Sequence, residues 1–154
     1  MTFVTHTSDS AATQSLGHKL SALLRGGDVI ELVSDLGGGK TTLTQGIVEG
    51  LGYTEAVTSP TFTLSQIYHL DSSLEVHHYD LYRLSEGGVL NFALGEDIAS
   101  PNVITIVEWG DVVAEVLPAN RLQITLVMDS ETSREITFSG TSPRAETIIE
   151  ELKK

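Results

Sequence analysis

The chain has 154 residues, 40% of them hydrophobic, which suits one globular domain with one core over residues 1–154. Nine basic against 21 acidic residues leave a formal charge of −12, a surface that repels phosphate backbones and anionic headgroups and argues against broad unaided nucleic-acid or membrane binding. No cysteine is available for a disulfide or a thiolate site, and neither a membrane-length apolar run nor a basic, apolar leader occurs, so cytoplasmic residence is the expectation.

Phe3-Val4-Thr5 reads as a short first strand. Ser8 or Ser10 then caps a helix that carries Ala12, Leu16, Leu20 and Leu23/Leu24 on one face and ends at Gly26-Gly27. Val29-Ile30-Glu31-Leu32-Val33 reads as a buried strand, followed by Ser34-Asp35-Leu36-Gly37-Gly38-Gly39-Lys40-Thr41-Thr42. Beyond it Leu43, Ile47 and Leu51 recur every four residues, the apolar stripe of a helix that Gly52 stops.

Strand, glycine turn and helix is the setting of a Walker A loop. Glycines without a Cβ let backbone N–H groups converge on an anion, and the helix that follows aims its positive end at the same point. In such a loop Lys40 reaches the β- and γ-phosphates and the Thr41 hydroxyl ligates Mg²⁺. The pattern G-x-x-x-x-G-K-[ST] is met except at its first position, where Ser34 stands in place of glycine.

Thr58-Ser59-Pro60-Thr61-Phe62 comes next, an irregular segment whose proline fixes the backbone; it is either a sensor of a γ-phosphate and its metal or a plain turn. Leu64 to Leu70 and Leu74 to Leu81 read as two strands around a polar Asp71-Ser72-Ser73 turn. His77 and His78 are adjacent, so on a strand they point to opposite faces and do not share a metal. Ser85 to Leu94 reads as a helix despite Gly87-Gly88, and Val103 to Val107 as a central parallel strand buried on both faces. Asp111 to Leu117 is expected as a short helix. Arg121 to Met128 alternates, with Leu122, Ile124, Leu126 and Met128 on one face, and pairs with Arg134 to Phe138. Ala145, Ile148, Ile149 and Leu152 mark a final amphipathic helix.

A P-loop needs a carboxylate for Mg²⁺ at the end of a neighbouring strand. Glu108 follows the more continuous apolar run and is the better candidate by pattern. Asp80, after a more polar strand, either orients the attacking water or shares the metal. Trp109, the sole tryptophan, is a stacking platform or a half-buried core residue. Arg83 and Arg134 are candidates for phosphate or base contacts. The expected architecture is α/β: a P-loop NTPase-like, mostly parallel sheet flanked by helices, with antiparallel additions.

Leu-Gly-Gly-Gly-Lys-Thr-Thr at residues 36–42, Thr58-Ser59-Pro60-Thr61-Phe62, His78-Tyr79-Asp80-Leu81-Tyr82-Arg83-Leu84 and Val107-Glu108-Trp109 together resemble the TsaE (YjeE) family in order and spacing over nearly the whole chain. The resemblance implies an ATPase, with ATP and Mg²⁺ as cofactors, required to make threonylcarbamoyladenosine in tRNA. It implies action with the TsaB–TsaD complex, tRNA being met only indirectly through that complex. Carried over by motif, Gly37, Gly38, Gly39, Lys40, Thr41 and Thr42 cradle phosphate, and Thr41 and Glu108 hold the metal. Thr58 to Thr61 resembles a first switch and Asp80 a second, while Thr13 and Arg134 match positions near the adenine loosely. Ser34 departs from the family's glycine and puts the loop's geometry, and with it affinity, at issue.

Other readings are a small-molecule kinase, which needs an arginine-rich lid that this chain lacks, and a GTP switch, which needs an Asn-Lys-x-Asp motif that is absent. A nucleotide-sensing module that binds without turnover is the non-enzymatic alternative.

Overall fold

The computed structural model describes residues 1–35, 37–60 and 63–154; Leu36 of the glycine loop, and Thr61 and Phe62 of the proline-centred segment, lie outside the described residues. Seven strands, β1 (Thr2–Thr7), β2 (Val29–Val33), β3 (Ser65–His69), β4 (Glu75–Asp80), β5 (Val103–Glu108), β6 (Leu122–Met128) and β7 (Arg134–Ser139), form one sheet in the order β1-β7-β6-β2-β5-β4-β3. The central strands β6, β2, β5 and β4 are parallel to one another. The flanking strands β1, β7 and β3 are added antiparallel. A parallel core with antiparallel additions is the architecture expected from the strand patterns.

Four helices complete it: α1 (Ser10–Ser21), α2 (Lys40–Gly50), α3 (Leu90–Ala99) and α4 (Pro143–Leu152). One cluster, with Leu20, Leu43, Ile47, Ile124, Phe138 and Ile149, lies between the sheet and α1, α2 and α4. A smaller cluster of Tyr79, Leu81, Leu94, Val107, Val113 and Leu117 lies on the other side, under α3. Every residue of β5 is buried, as a strand covered on both faces requires.

Several local expectations change. Asp9, not Ser8 or Ser10, caps α1, its carboxylate accepting the Ala12 N–H at 2.8 Å. The buried face of α1 is Thr13, Gly17, Leu20 and Ser21, with Ala12 and Leu16 only half-buried. The reason is close helix packing: a Cβ on Gly46 of α2 would stand 2.1 Å from the Gln14 carbonyl oxygen, and one on Gly17 2.6 Å from that of Leu43. The third helix starts at Leu90 rather than Ser85, because Gly88 takes φ +47° and turns the chain beforehand. It runs on to Ala99. The expected helix from Asp111 to Leu117 is reduced to a 3₁₀ turn over Gly110–Val113. Met128, grouped by alternation with Leu122, Ile124 and Leu126, is exposed at the last position of β6, while those three are buried.

Alternation on β4 sends His77 to one face and His78 to the other. His77 lies between the carboxylates of Glu75 (2.6 Å) and Asp97 (2.7 Å), and the Tyr79 hydroxyl also donates to Asp97. Burial first, and Asp97 second, push the Tyr79 hydroxyl well above the usual phenol range, while the His77 hydrogen bond holds Glu75 below the usual carboxylate range.

Candidate nucleotide and cation site

The chain leaves β2 at Val33 and returns as α2 at Lys40. Gly39 precedes the helix at φ +99°, a left-handed conformation that side chains with a Cβ rarely adopt. Among the described residues no side chain caps this helix start, whose first N–H groups carry the positive end of the helix dipole. Ser34 does not need glycine's freedom: among the described non-glycine residues only Leu64, Ser73 and Trp109 have positive φ. Its hydroxyl lies over Gly38, where a Cβ would fall 1.8 Å from Ser34 Oγ.

Lys40 is buried, and its ammonium donates to the Ser34 carbonyl (3.2 Å), the Ser34 hydroxyl (3.3 Å) and the Asp35 carbonyl (3.2 Å). It also sits 5.0 Å from the centre of the Trp109 ring, a cation–π distance. Trp109 has φ +58°, a costly conformation for a bulky residue, and packs tilted against Tyr82 at 5.0 Å.

Asp80 and Glu108 end adjacent parallel strands and are partners in register, so their carboxylates arrive side by side. Asp80 Oδ1 accepts the Tyr82 N–H at 3.1 Å. Glu108 is only 2% exposed, and among the described residues its Oε1 has no hydrogen-bond partner. His78, on the same face of β4 as Asp80, places Nε2 3.6 Å from Glu108 Oε2, too far for a hydrogen bond, and among the described residues neither ring nitrogen has a hydrogen-bond partner. An unpaired buried carboxylate oxygen is costly, and a cation beside it would relieve that cost.

A cleft of about 300 Å³ gathers Gly37, Gly38, Gly39, Lys40, Thr41, Thr42, Ser59, Asp80, Glu108, Trp109 and Arg134. The Arg134 guanidinium donates to the carbonyls of Gly38 (3.1 Å) and Gly37 (3.2 Å), fastening the loop to the start of β7. A second cleft of about 380 Å³ shares Gly39, Thr42 and Arg134 with the first and adds Asp9, Ser10, Ala11, Thr13, Glu131 and Thr132. Thr13 is nearly enclosed there: its hydroxyl lies 2.7 Å from that of Thr7 and donates to the Asp9 carbonyl at 3.2 Å.

Of the residues singled out from sequence, Gly37 to Thr42, Ser59, Asp80, Glu108, Trp109 and Arg134 line one cleft and Thr13 lines its neighbour, whereas Ser34, Thr58, Pro60 and Arg83 line neither. Thr61 of the proposed first switch lies outside the described residues. Sequence reading passed over the Asp9-Ser10 and Glu131-Thr132 edges of the second cleft and the approach of His78 to Glu108. The latter was within reach, since period-two alternation alone puts His78 and Asp80 on one face.

A glycine loop between the central parallel strand and a helix, holding a buried lysine opposite two strand-end carboxylates, is the arrangement of a P-loop NTPase-like fold. The comparisons narrow this. Residues 7–136 match the family model described as "Threonylcarbamoyl adenosine biosynthesis protein TsaE". The chain is 39% identical over 142 residues to the tRNA threonylcarbamoyladenosine biosynthesis protein TsaE of Bacillus subtilis, covering 92% of this chain and 88% of that one. It is 39% identical over 136 residues to the TsaE of Streptomyces coelicolor, covering 85% and 92%. The crystal structure of YdiB from Bacillus subtilis superposes with a TM-score of 0.81 at 34% identity, covering 99% of this chain and 95% of that one. The chain belongs to the TsaE family.

Proposed function

We propose that this protein binds and hydrolyses ATP with Mg²⁺ as a subunit of the machinery that makes threonylcarbamoyladenosine in tRNA, acting with the TsaB–TsaD complex. The observation that carries the reading is the convergence of Lys40, Asp80 and Glu108 at the uncapped start of α2. Family membership supplies the pathway. In the proposed roles, the backbone N–H groups of residues 37–42 and the Lys40 ammonium bind the phosphates. Thr41, exposed in the cleft, and Glu108, with its unpartnered oxygen, hold the cation. Asp80 orients the attacking water. The cleft shared by Thr13 and Arg134 accepts the nucleoside. Bound Mg²⁺ would supply charge neutralisation at the phosphates.

The arginines speak against a kinase. Arg121 is committed to Glu31 at 2.6 Å and Arg144 to Asp28 at 2.6 Å, each on a structural carboxylate outside the cleft. Arg134, which does line the cleft, is spent on loop carbonyls. No acceptor clamp remains among these three. The described helices include none long and apolar enough to cross a membrane.

The test is ATP turnover by the purified chain, alone and with TsaB–TsaD, beside direct binding of the pair in each nucleotide state. Slow turnover alone and nucleotide-sensitive binding of the pair are expected. Nucleotide binding with no turnover in either setting would leave a sensing module. Failure to bind the pair in any nucleotide state would remove the assignment to that complex.

A further inference from the structure

A groove of about 600 Å³, twice the volume of the phosphate cleft, runs along the opposite flank of the glycine loop. Its floor and walls come from the ends of β2 and β6 and from the turn after β5. Alternation points Val33 and Val127 away from the core that Leu32 and Leu126 enter. They are 39% and 52% exposed, and Met128 beside them is 55% exposed. The rim carries the exposed carboxylates of Asp35 and Asp111. Glu31, at the floor, is already paired with Arg121, and no lysine or arginine lines the groove.

We propose that this groove is the docking site of a partner protein that presents an apolar side chain flanked by lysine or arginine. Adjacent exposed apolar side chains in a concave surface gain by being covered, at about 25 cal/mol per Å² removed from water. The two rim carboxylates select a basic flank. A second copy of this chain is disfavoured as occupant, because each copy brings a charge of −12 to the same interface. The groove also shares a wall with the phosphate cleft: Gly38 and Trp109 line both, and the Trp109 ring touches the Lys40 ammonium at 5.0 Å. A side chain pressed into the groove therefore bears on the residue that packs against the phosphate lysine, so docking and nucleotide occupancy are coupled. This rests on the reading above of TsaB–TsaD as partner and gives that reading a surface.

The experiment titrates purified TsaB–TsaD with the full chain, at low and physiological salt, without nucleotide, with ADP and with an ATP analogue. Compared with wild type are the double variant Val127→Ser/Met128→Ser, Asp111→Lys, and Phe92→Ser. Phe92, 73% exposed on α3, is an apolar control outside the groove. Thermal melting and calorimetric ATP titration accompany each variant. Expected are a roughly tenfold or greater loss of partner affinity for both groove variants, a flattened salt dependence for Asp111→Lys, and wild-type behaviour of Phe92→Ser. ATP affinity should stay within about twofold throughout, because none of the three sites reaches the phosphates. Wild-type binding that both groove variants retain overturns the groove while leaving the functional reading intact, and so does loss confined to Phe92→Ser. A wild-type dimer by sedimentation that the groove variants abolish would make a second copy the occupant and overturn the proposal. If wild type binds the pair in no nucleotide state, the functional reading itself fails.

Discussion

Ser34 offers a measurable consequence of how Lys40 is held. The ammonium is shared among three oxygens, one of them the Ser34 hydroxyl at 3.3 Å. To reach a phosphate it must give up that contact. Ser34→Ala removes the hydroxyl and leaves both carbonyls, so it destabilises the empty loop without touching a proposed phosphate contact. The Asp35 carbonyl loses the Ser34 O–H, which it accepts at 2.7 Å, but keeps the Gly38 N–H at 3.1 Å. A hydrogen bond of this length contributes about 0.5–1.5 kcal/mol net, so ATP should bind roughly 2- to 12-fold more tightly to Ser34→Ala. Ser34→Gly removes the same hydroxyl but loosens the chain, at a cost of about 0.4–1 kcal/mol, and should gain less. Calorimetric titration of ATP-Mg²⁺ against the three proteins reads this order directly. Equal or weaker binding by Ser34→Ala would refute the competition between serine and phosphate for Lys40.

Lys40→Ala should weaken ATP binding by roughly 10- to 150-fold, the worth of one charge-assisted phosphate contact, by the same titration. Glu108→Ala should weaken Mg²⁺-dependent nucleotide binding, whereas Asp80→Ala should chiefly slow single-turnover hydrolysis with affinity nearly intact; reversed effects would exchange their roles. Gly46→Ala should destabilise the fold by about 2–3 kcal/mol in urea melts, because its new methyl meets the Gln14 carbonyl at 2.1 Å and backbone cannot step aside as a side chain can. Filter binding at about 0.15 M salt should find no tRNA retained by the lone chain, since the −12 charge repels it; tight retention would overturn the electrostatic reading.

Much of this was legible in the chain because local pattern and global fold agree there. Val29–Val33 and Val103–Glu108 are apolar runs of strand length, and both are central strands. The stripe of Ala145, Ile148, Ile149 and Leu152 is buried throughout α4. What misled was the assumption that helices pack through large side chains. The contact between α1 and α2 runs through Gly17 of α1 and Gly46 and Gly50 of α2, which pattern reading counts as weak helix formers rather than as an interface. Gly87-Gly88 acts in the opposite sense: the helical pattern runs across it, whereas Gly88 at φ +47° makes a turn and the helix starts at Leu90. The acids at the two strand ends were visible, but their juxtaposition follows from the β4–β5 register, which no local pattern contains. The hold of Arg134 on the glycine loop spans 96 residues and lies beyond any periodicity.

That hold, together with the position of β1, has a consequence for how the protein is made. On a ribosome the glycine loop emerges before β5, β6 and β7, yet β2 pairs with β5 and β6, and β1 pairs with β7. A nascent chain that has reached Met128 has neither the strand that receives β1 nor the guanidinium that ties Gly37 and Gly38. Until Arg134 to Ser139 have been translated, the glycine loop lacks its Arg134 clamp and the sheet lacks β7. The clamp on the glycine loop thus closes only after a residue 96 positions beyond Gly38 has been made and brought back to it.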